Sequence, residues 1–377
     1  MKLYVQSHLK DMNRQVVYKM IKDKPMTSKA EISKLTGISS PTVIKIVTFL
    51  QELGLVIEAG EGDTAIGRKP HLLTLNTDWM YCASFFLEGD FLSMGLVDIS
   101  GHVLCQKQIK VQPDFDFIIR QIRDVYIDEL LTEQQLAASR LFGVGIALPV
   151  IYDEGRQTIA GAPLVKNQEE LYIGDTVEAL EKKFDVMVCI ENDTNAQTLG
   201  EFEISGYQAP EDLVVISLGT GMGAGVILNG RLRRGAQNMC GEIGYMSFMK
   251  SYVSDRKALG SLESSIGYRK LQEKYGIQLA GTRLVLPDDS REEMLEYVAS
   301  SMALCINNIV MLLDCTNVVL AGKVIEMFGQ SIIDRVNEYL APLCIGGIHV
   351  RMEASDSIGI VGIASLVTKK KIEELLT

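Results

Sequence analysis

The chain has 377 residues, of which 47% are hydrophobic and 23% are charged, an ordinary balance for a folded protein of two or three domains. No apolar run approaches the roughly 20 residues of a membrane-spanning helix, and the polar amino terminus is not a secretory signal, so we expect a cytoplasmic protein without membrane contact. Seven scattered cysteines without a CxxC pair predict reduced, mostly buried thiols, and four unclustered histidines predict no metal site.

The charge is distributed unevenly along the chain. Residues 1–75 carry 11 Lys and Arg against 7 Asp and Glu, a net charge of +4, and the total of −11 leaves −15 for residues 76–377. A basic segment on an acidic body indicates that only this segment meets a polyanion such as double-stranded DNA. Chance variation between domains is the alternative.

The first 75 residues predict three helices. Apolar spacing indicates a first helix that reaches about Ile21, and Pro25 ends it. Thr27 is the expected N-cap of a second helix. The second helix is expected to turn three apolar residues inward, Ala30, Ile32 and Leu35.

A third helix is expected after the turn at Gly37, because glycine suits the reversal between two crossing helices. Ser39 or Ser40 is its expected N-cap, and Pro41 suits its first turn. Its apolar stripe is expected to contain Val43, Ile44, Val47, Leu50 and Leu53. The pattern predicts a helix-turn-helix, and a helical hairpin in a protein-binding module is the alternative.

The amino-terminal end of this third helix is expected to enter the major groove of DNA. Hydroxyl side chains can bond base edges or phosphates, and a lysine suits the phosphate backbone. The DNA-binding residues predicted here are Ser39, Ser40, Thr42 and Lys45.

A hairpin with a basic tip is expected next. Residues 54–58 begin one strand, a segment rich in Gly and Asp leads to Arg68 and Lys69, and residues 72–76 return as the second strand. Arg68 is expected to lie along a phosphate or to enter the minor groove, and Lys69 lies beside it. Three helices followed by this wing predict a winged helix-turn-helix domain over residues 1–75.

The remaining residues alternate short strands with helices, which predicts an α/β architecture. Three consecutive strands are expected within 81–111, and two strands around a glycine turn within 213–230. Further strands are expected at 141–150, 186–192 and 317–322, and helices near 114–138 and 174–184, from Thr194, and within 290–313.

Three separated motifs give this region a specific resemblance. They read IENDTNAQTLGE at 190–201, SLGTGMGAGVILNGRLRRGAQNMCGEIG at 217–244 and LDCTNVVLAGKV at 313–324. They closely resemble the ROK family of sugar kinases and sugar-responsive repressors, and the predicted amino-terminal domain fits the repressor branch. The resemblance implies a two-lobed, actin-like ATPase fold of the ribonuclease H-like type. Lobe 1 is expected over 76–195, with a helix at 364–377 packing back on it, and lobe 2 over 196–363.

The same motifs contain the candidate ligand-binding residues. Asn192 and Asp193 follow a strand that opens onto the expected cleft, where they suit contacts to sugar hydroxyls. The resemblance implies that the residue matching Asp193 is the general base in family kinases. It also implies that Glu242 and Glu263 hydrogen-bond the sugar, and that Tyr245 replaces a sugar-binding histidine.

The glycines between 219 and 225 have two interpretations. Their backbone N–H groups could bind an anion, or the glycines could serve a tight turn alone.

The expected nucleotide-binding loop departs from the family pattern. Phe86, Glu88 and Asp90 stand where family kinases carry the aspartate, first glycine and threonine of a DxGGT loop. The two carboxylates would repel a triphosphate. We therefore expect no catalytic residues, no nucleotide cofactor and no enzymatic activity.

Two further departures concern zinc and the sugar. Residues 251–264 contain none of the three cysteines of the family's zinc cluster, so no zinc is expected and the loop should pack around Tyr252 and Leu259. Leu164 stands where the family has a sugar-binding asparagine.

The sequence therefore predicts a DNA-binding regulator of carbohydrate-metabolism genes, a repressor that senses a sugar or sugar derivative as a homodimer or homotetramer. A ligand that closes the cleft is expected to change the spacing of two DNA-binding heads and so the operator affinity. The alternatives are an active sugar kinase with a DNA-binding head, and a constitutive DNA-binding protein whose second part is only a scaffold.

Overall fold

The computed structural model of the chain describes residues 6–62, 69–161, 164–165, 169–247, 260–281, 283–343 and 346–377. Two of the largest hydrophobic cores lie on the two five-stranded sheets, and a third joins the amino-terminal part to the first of these sheets and to the carboxy-terminal helix.

Residues 6–62 and 69–75, here called the N-terminal unit, form three helices and a three-stranded antiparallel sheet of order β1-β3-β2. The elements are α1 (Gln6–Asp23), β1 (Thr27–Ser28), α2 (Lys29–Thr36), α3 (Ser40–Glu52), β2 (Val56–Glu61) and β3 (His71–Leu75).

The second helix begins differently from the prediction. Ser28, not Thr27, is its N-cap, because the Ser28 hydroxyl accepts a hydrogen bond from the Glu31 amide at 3.2 Å. Thr27 instead pairs with β3 and is buried. Of the three residues expected inside, only Ile32 is buried, whereas Ala30 is exposed and Leu35 is 52% exposed.

The third helix follows the turn as expected. Gly37 has a left-handed backbone (φ 72°), which ends α2, and Ser39 occupies the N-cap position of α3. The buried side of α3 consists of Val43, Ile46, Val47 and Leu50, and Leu53 just beyond it is half-buried. Ile44 was expected in this stripe, but it is 50% exposed, because it lies about 100° around the helix from Val43.

The first five-stranded sheet has the order β11-β7-β4-β5-β6. Strands β4, β5 and β6 form an antiparallel meander, and β7 and β11 extend it in parallel. The helix expected near 114–138 is interrupted by one π-helical turn at Ile122–Tyr126 and ends at Glu133. The elements are β4 (Tyr81–Glu88), β5 (Phe91–Asp98), β6 (Val103–Lys110), α4 (Phe115–Gln121), α5 (Ile127–Glu133), β7 (Leu141–Leu148), β8 (Ile151–Asp153), β9 (Thr158–Ala160), β10 (Leu171–Tyr172), α6 (Gly174–Phe184), β11 (Met187–Asn192) and α7 (Asp193–Ile204).

The second five-stranded sheet has the order β14-β13-β12-β17-β18. It repeats the first design, with an antiparallel meander followed by two parallel strands. This duplication confirms the predicted two-lobed α/β architecture, whereas the domain boundaries stay predictions. The elements are β12 (Leu213–Leu218), β13 (Met222–Leu228), β14 (Arg231–Leu232), α8 (Glu263–Ile266), α9 (Tyr268–Tyr275), β15 (Gln278–Ala280), β16 (Arg283–Val285), α10 (Arg291–Leu313), β17 (Asn317–Ala321), α11 (Lys323–Phe328), α12 (Gln330–Leu340), β18 (His349–Met352) and α13 (Ile358–Leu376).

The carboxy-terminal helix α13 packs on α7 and on strands β4 and β7. It begins at Ile358, six residues before the predicted start at 364. Glycines allow the two helices to approach closely, because a Cβ atom on Gly200 would lie 2.6 Å from the Ile358 carbonyl carbon. A Cβ atom on Gly362 would lie 2.6 Å from the Gly200 nitrogen.

Glu201 of α7 joins the two segments in which the chain passes between the sheets. It is fully buried and accepts hydrogen bonds from the Arg351 guanidinium at 2.5 Å and from the Ala354 amide at 2.8 Å. The segment that leaves α7 and the segment that enters α13 are therefore held together.

Helix α10 is long and apolar enough to cross a membrane by length and composition alone. Half of its most apolar 18-residue window is buried in the core beside the second sheet, which is also the pattern of a core helix. Among the described cysteines, Cys82, Cys189, Cys305 and Cys315 are buried, whereas Cys105 and Cys240 are half-buried.

Candidate functional site

The first predicted ligand residue, Asn192, lies where β11 ends and α7 begins. Its Oδ1 accepts a hydrogen bond from the Asn195 amide at 3.0 Å and so caps α7. Its Nδ2 donates to the Val150 carbonyl at 3.1 Å. The Asn192 side chain also donates a hydrogen bond to the Asp193 carboxylate, so one lone pair of Oδ1 is left for a ligand.

Asp193 is the first residue of α7 and is half-buried. Its Oδ1 accepts a hydrogen bond from the Thr194 amide at 2.8 Å, which fixes the carboxylate at the helix start. Burial raises the pKa of Asp193 to about 6. The group is therefore mostly ionised at neutral pH.

Two loop segments position Glu242, Tyr245 and Glu263. The Gly241 carbonyl accepts a hydrogen bond from the Ala224 amide at 2.8 Å, which attaches the first segment to β13. The Leu262 amide donates to the Gly244 carbonyl at 3.1 Å, which places the start of α8 beside the turn that carries Tyr245. Tyr245 is 55% exposed.

The carboxyl groups of the predicted ligand residues affect one another's pKa values. Burial, together with the charges of Asp193 and Glu263, raises the pKa of Glu242 to about 7. Burial also raises the pKa of Glu263 against the opposing charge of Arg269. Burial and the two glutamates raise the pKa of Tyr245. The structure thus brings the predicted residues together, and near pH 7 Glu242 can both donate to and accept from a hydroxyl group.

A supporting layer behind this group was not predicted from the sequence. The buried Glu191 carboxylate accepts from Arg234 Nε at 2.8 Å and from Asn195 Nδ2 at 2.9 Å. Because Arg234 lies 43 residues from Glu191 in the chain, no local pattern indicates the pair. The layer holds the start of α7 in place.

A cavity of about 1210 Å³ lies between the ends of the two sheets, where the family resemblance puts the nucleotide. Phe86 and Glu88 at the end of β4 line it, as expected from the altered loop. The charged residues around it are Glu88, Lys107, Arg283, Lys323, Glu326, Glu353 and Asp356.

The Glu88 carboxylate lies against the glycine turn of β12 and β13. A Cβ atom on Gly219 would lie 2.8 Å from Glu88 Oε1, and the Lys323 amide hydrogen-bonds the carboxylate. Burial raises the pKa of Glu88 to about 7, although the Lys323 charge opposes this. Among the described residues, Glu88 Oε1 is a buried oxygen without a hydrogen-bond partner. A carboxyl group that is about half ionised at neutral pH thus lies beside the loop that was considered for anion binding.

The acidic lining differs from the prediction in one respect. Asp90 is exposed in the turn between β4 and β5 and does not line the cavity. Glu353, which sequence reasoning missed, takes its place there. Burial, together with the charges of Glu88 and Glu326, raises the pKa of Glu353 to about 8.

The predictions about zinc and the loop around Tyr252 and Leu259 lie outside the described residues, since 248–259 are not described. In the part of the chain that is described, no three His, Cys, Asp or Glu residues are grouped as metal ligands. Leu164 is buried in the core of the first sheet.

The predicted DNA-binding residues of α3 lie at its amino-terminal end. Ser39 Oγ and Thr42 Oγ1 share a hydrogen bond of 2.8 Å, and Ser40 Oγ donates to Ser33 Oγ at 3.2 Å. Ser39, Ser40 and Lys45 are exposed, and Thr42 is half-buried.

The wing residues are only partly described. Lys69 is exposed before β3, and Arg68 lies outside the described residues. A groove of about 390 Å³ between α1 and α3 contains the side chains of Lys10, Arg14 and Lys45, which adds basic groups beside the predicted DNA contacts.

Comparison with known proteins agrees with this geometry. The xylose repressor of Caldicellulosiruptor bescii is 26% identical over 358 residues, which cover 88% of this chain and 88% of that protein. A ROK family transcriptional regulator, described as a homolog of the Escherichia coli MLC protein, superposes with a TM-score of 0.76 at 19% identity and covers 98% of both chains. A ROK family glucokinase from Streptomyces griseus, in complex with glucose and AMPPNP, has a TM-score of 0.58 at 21% identity over 76% of this chain and 98% of its own.

Both structural neighbours support the two-lobed actin-like fold. The sequence profile of the ROK family matches residues 89–370. Because this match covers most of the sequence, the chain belongs to the ROK family.

Proposed function

We propose that the chain is a sugar-responsive transcriptional repressor, which acts in the cytoplasm on carbohydrate-metabolism genes. The similarity to a xylose repressor, which covers 88% of the chain, supports this proposal. The effector is a sugar or a sugar derivative, and xylose is the first compound to test because of that relative's name.

The N-terminal unit supports binding to double-stranded DNA. Helix α2, the turn at Gly37 and helix α3 have the arrangement of a helix-turn-helix, and the hairpin of β2 and β3 corresponds to a wing. Residues 1–75 carry a net charge of +4 in a chain of net charge −11, which favours contact with phosphates. We propose Ser39, Ser40, Thr42, Lys45, Arg68 and Lys69 as DNA contacts.

The observation that carries the non-enzymatic part of the proposal is the position of Glu88. Phosphoryl transfer requires the nucleotide phosphates to be positioned and their charge neutralised. Glu88 instead presents a carboxylate to the glycine turn at Gly219, and Glu353 adds a second carboxyl group to the same cavity. We propose that the cleft binds a ligand through Asn192, Asp193, Glu242, Tyr245 and Glu263 without transferring phosphate.

The two alternative functions that the sequence suggests are a sugar kinase and a constitutive DNA-binding protein. A sugar kinase with a DNA-binding head is favoured by Asp193, since the aspartate of family kinases is retained, and is opposed by Glu88. A constitutive DNA-binding protein with a structural scaffold would keep the same fold without responding to sugar.

Contacts between α7, α13 and α1 provide a route from the ligand to the DNA. Helix α7 begins with the ligand residue Asp193, and near its other end Glu203 forms an ion pair of 2.8 Å with Lys22 of α1. Helix α13 begins beside the cavity, and its Leu376 carbonyl accepts a hydrogen bond from Arg14 of α1 at 2.9 Å. A shift of either helix would therefore move α1.

Such a shift suits a repressor with two DNA-binding heads. We propose a homodimer or homotetramer in which the ligand favours one arrangement of the lobes over another. Helix-turn-helix dimers contact half-sites about one turn of DNA apart, so a change in head spacing lowers operator affinity.

The experiment is a ligand titration on the full chain bound to its operator. The operator is first enriched from random duplex DNA, and fluorescence anisotropy then follows DNA binding while xylose, glucose and their oligosaccharides are added. We expect one compound to weaken binding by at least about tenfold, which corresponds to about 1.4 kcal/mol of coupling. ATP consumption is measured in the same samples.

Matched variants separate the two activities. Asp193→Asn should keep operator affinity but lose the response to sugar, whereas Lys45→Ala should weaken DNA binding but keep thermal stabilisation by the sugar. Failure to bind duplex DNA, or ATP consumption that depends on sugar, would contradict the proposal. DNA binding that no sugar changes would favour the scaffold function.

A further inference from the structure

The exposed side of α3 combines hydroxyl groups with one aliphatic side chain. Ser40, Ile44 and Thr48 follow one another at four-residue spacing, and all three are exposed. Pro41 and Lys45 lie beside them on the same side of the helix. Ile44 is 50% exposed, although the apolar stripe of α3 buries Val43, Ile46, Val47 and Leu50. The fold therefore leaves one apolar residue in the middle of a polar row.

We propose that Ile44 reads a thymine by contact with its C5 methyl group. This inference rests on the proposed function, in which α3 lies in the major groove of operator DNA. Of the groups that base pairs present in that groove, the thymine methyl is the apolar one, and aliphatic side chains contact it there. An isoleucine at this position has no polar atom with which to read any other base.

The neighbours of Ile44 suit the same docking. Ser40 and Thr48, one turn before and one turn after it, carry hydroxyl groups that can bond base edges or phosphates. Lys45 is adjacent and lines the basic groove with Lys10, which suits contact with the DNA backbone. The order of Ser40, Ile44 and Thr48 therefore suits a stretch of the major groove in which a thymine methyl group lies between base edges that can form hydrogen bonds.

An exposed aliphatic residue alone carries no such meaning, because single apolar residues are common on protein surfaces. Leu35 of α2 is an example, since it is 52% exposed and lies outside the row. Ile44 differs from Leu35 because it lies on the exposed side of α3 between Ser40 and Lys45, which are two of the predicted DNA contacts. Leu35 therefore provides a matched control.

The experiment uses the full chain and the enriched operator, in which each thymine is replaced in turn by uracil. Uracil lacks only the methyl group and keeps the same hydrogen-bonding atoms. We expect uracil at one position of each half-site to weaken binding of the unchanged protein by about fourfold, the effect of one buried methyl group. Ile44→Ala should lose this sensitivity at that position, and Leu35→Ala should retain it.

The outcomes distinguish this inference from the function on which it rests. If the chain binds the operator but discriminates no thymine from uracil, or if Ile44→Ala discriminates as well as the unchanged protein, the role of Ile44 is refuted and the proposed function stands. If the chain binds no duplex DNA, the proposed function fails first and Ile44 has no base to read.

Discussion

The close crossing of α7 and α13 leads to a quantitative prediction for Gly200→Ala. The added Cβ atom would lie 2.6 Å from the carbonyl carbon of Ile358. Carbon atoms in contact need about 3.5–4.0 Å, so the two helices would have to separate by about 1 Å. The obstructing atoms belong to the backbone and cannot rotate away. We therefore expect a loss of about 3 kcal/mol in the free energy of unfolding, at the upper end of the 1–3 kcal/mol typical of overpacking.

Scanning calorimetry measures this loss as a change in the unfolding midpoint. About 2–4 °C per kcal/mol predicts a decrease of about 6 °C or more. Gly347→Ala is the matched control, because a Cβ atom at Gly347 would meet nothing within 4 Å. If Gly200→Ala unfolds within about 1 °C of Gly347→Ala, the two helices are not held at the distance described, and the reasoning is refuted.

Three further predictions concern charged groups. Reversing the charge of Lys22 or Glu203 alone should change the sugar response of operator affinity by up to about fivefold, because exposed ion pairs contribute up to about 1 kcal/mol. The double variant Lys22→Glu with Glu203→Lys should restore the response. Single variants that match the unchanged protein in fluorescence anisotropy would show that this ion pair does not connect the ligand site to the DNA-binding helices. The pKa of Glu353 is raised from 4.5 to about 8, so the folded chain holds a proton that the unfolded chain releases, and stability falls as pH rises between these values. Glu353→Gln should therefore gain up to about 5 kcal/mol at pH 9 and nothing at about pH 4 in urea unfolding, and an equal change at both pH values would contradict this sign. The pKa of Asp193 is raised to about 6, so sugar affinity in calorimetric titrations should weaken by about tenfold from pH 7.5 to 5 if the ionised form accepts the ligand's hydrogen bonds, and an affinity that stays constant over this range would contradict that role.

Local patterns predicted most of the secondary structure. The strands β4, β5 and β6 were recognised because apolar runs alternate with turn residues, and the glycine turn between α2 and α3 was recognised from Gly37. Periodicity failed at Ile44, because this residue lies about 100° around the helix from Val43, on the side away from Ile46. Helix α13 was expected to begin too late, because Gly359 and Gly362 lower helix propensity. Close packing requires both glycines, since Gly359 lies against the Phe86 ring and Gly362 against α7.

The candidate site was predictable only where a motif contained it. Asp193, Glu242 and Glu263 came from the family resemblance, and their mutual effect on pKa required the fold that brings three segments together. Glu353 was missed because it reaches the cavity after β18, far along the chain from Glu88. Contacts between such distant residues depend on sheet order, which single-sequence patterns do not specify.

The bonds of Glu201 restrict how the two lobes can move. The chain passes from the first five-stranded sheet to the second after α7 and returns before α13, and Glu201 holds these two passages together through Arg351 and Ala354. Because these two passages are held together, they can rotate about Glu201 as a unit but cannot slide past each other. Opening and closing of the cleft would therefore be a hinge rotation about Glu201, in which the residues farthest from Glu201 move the most.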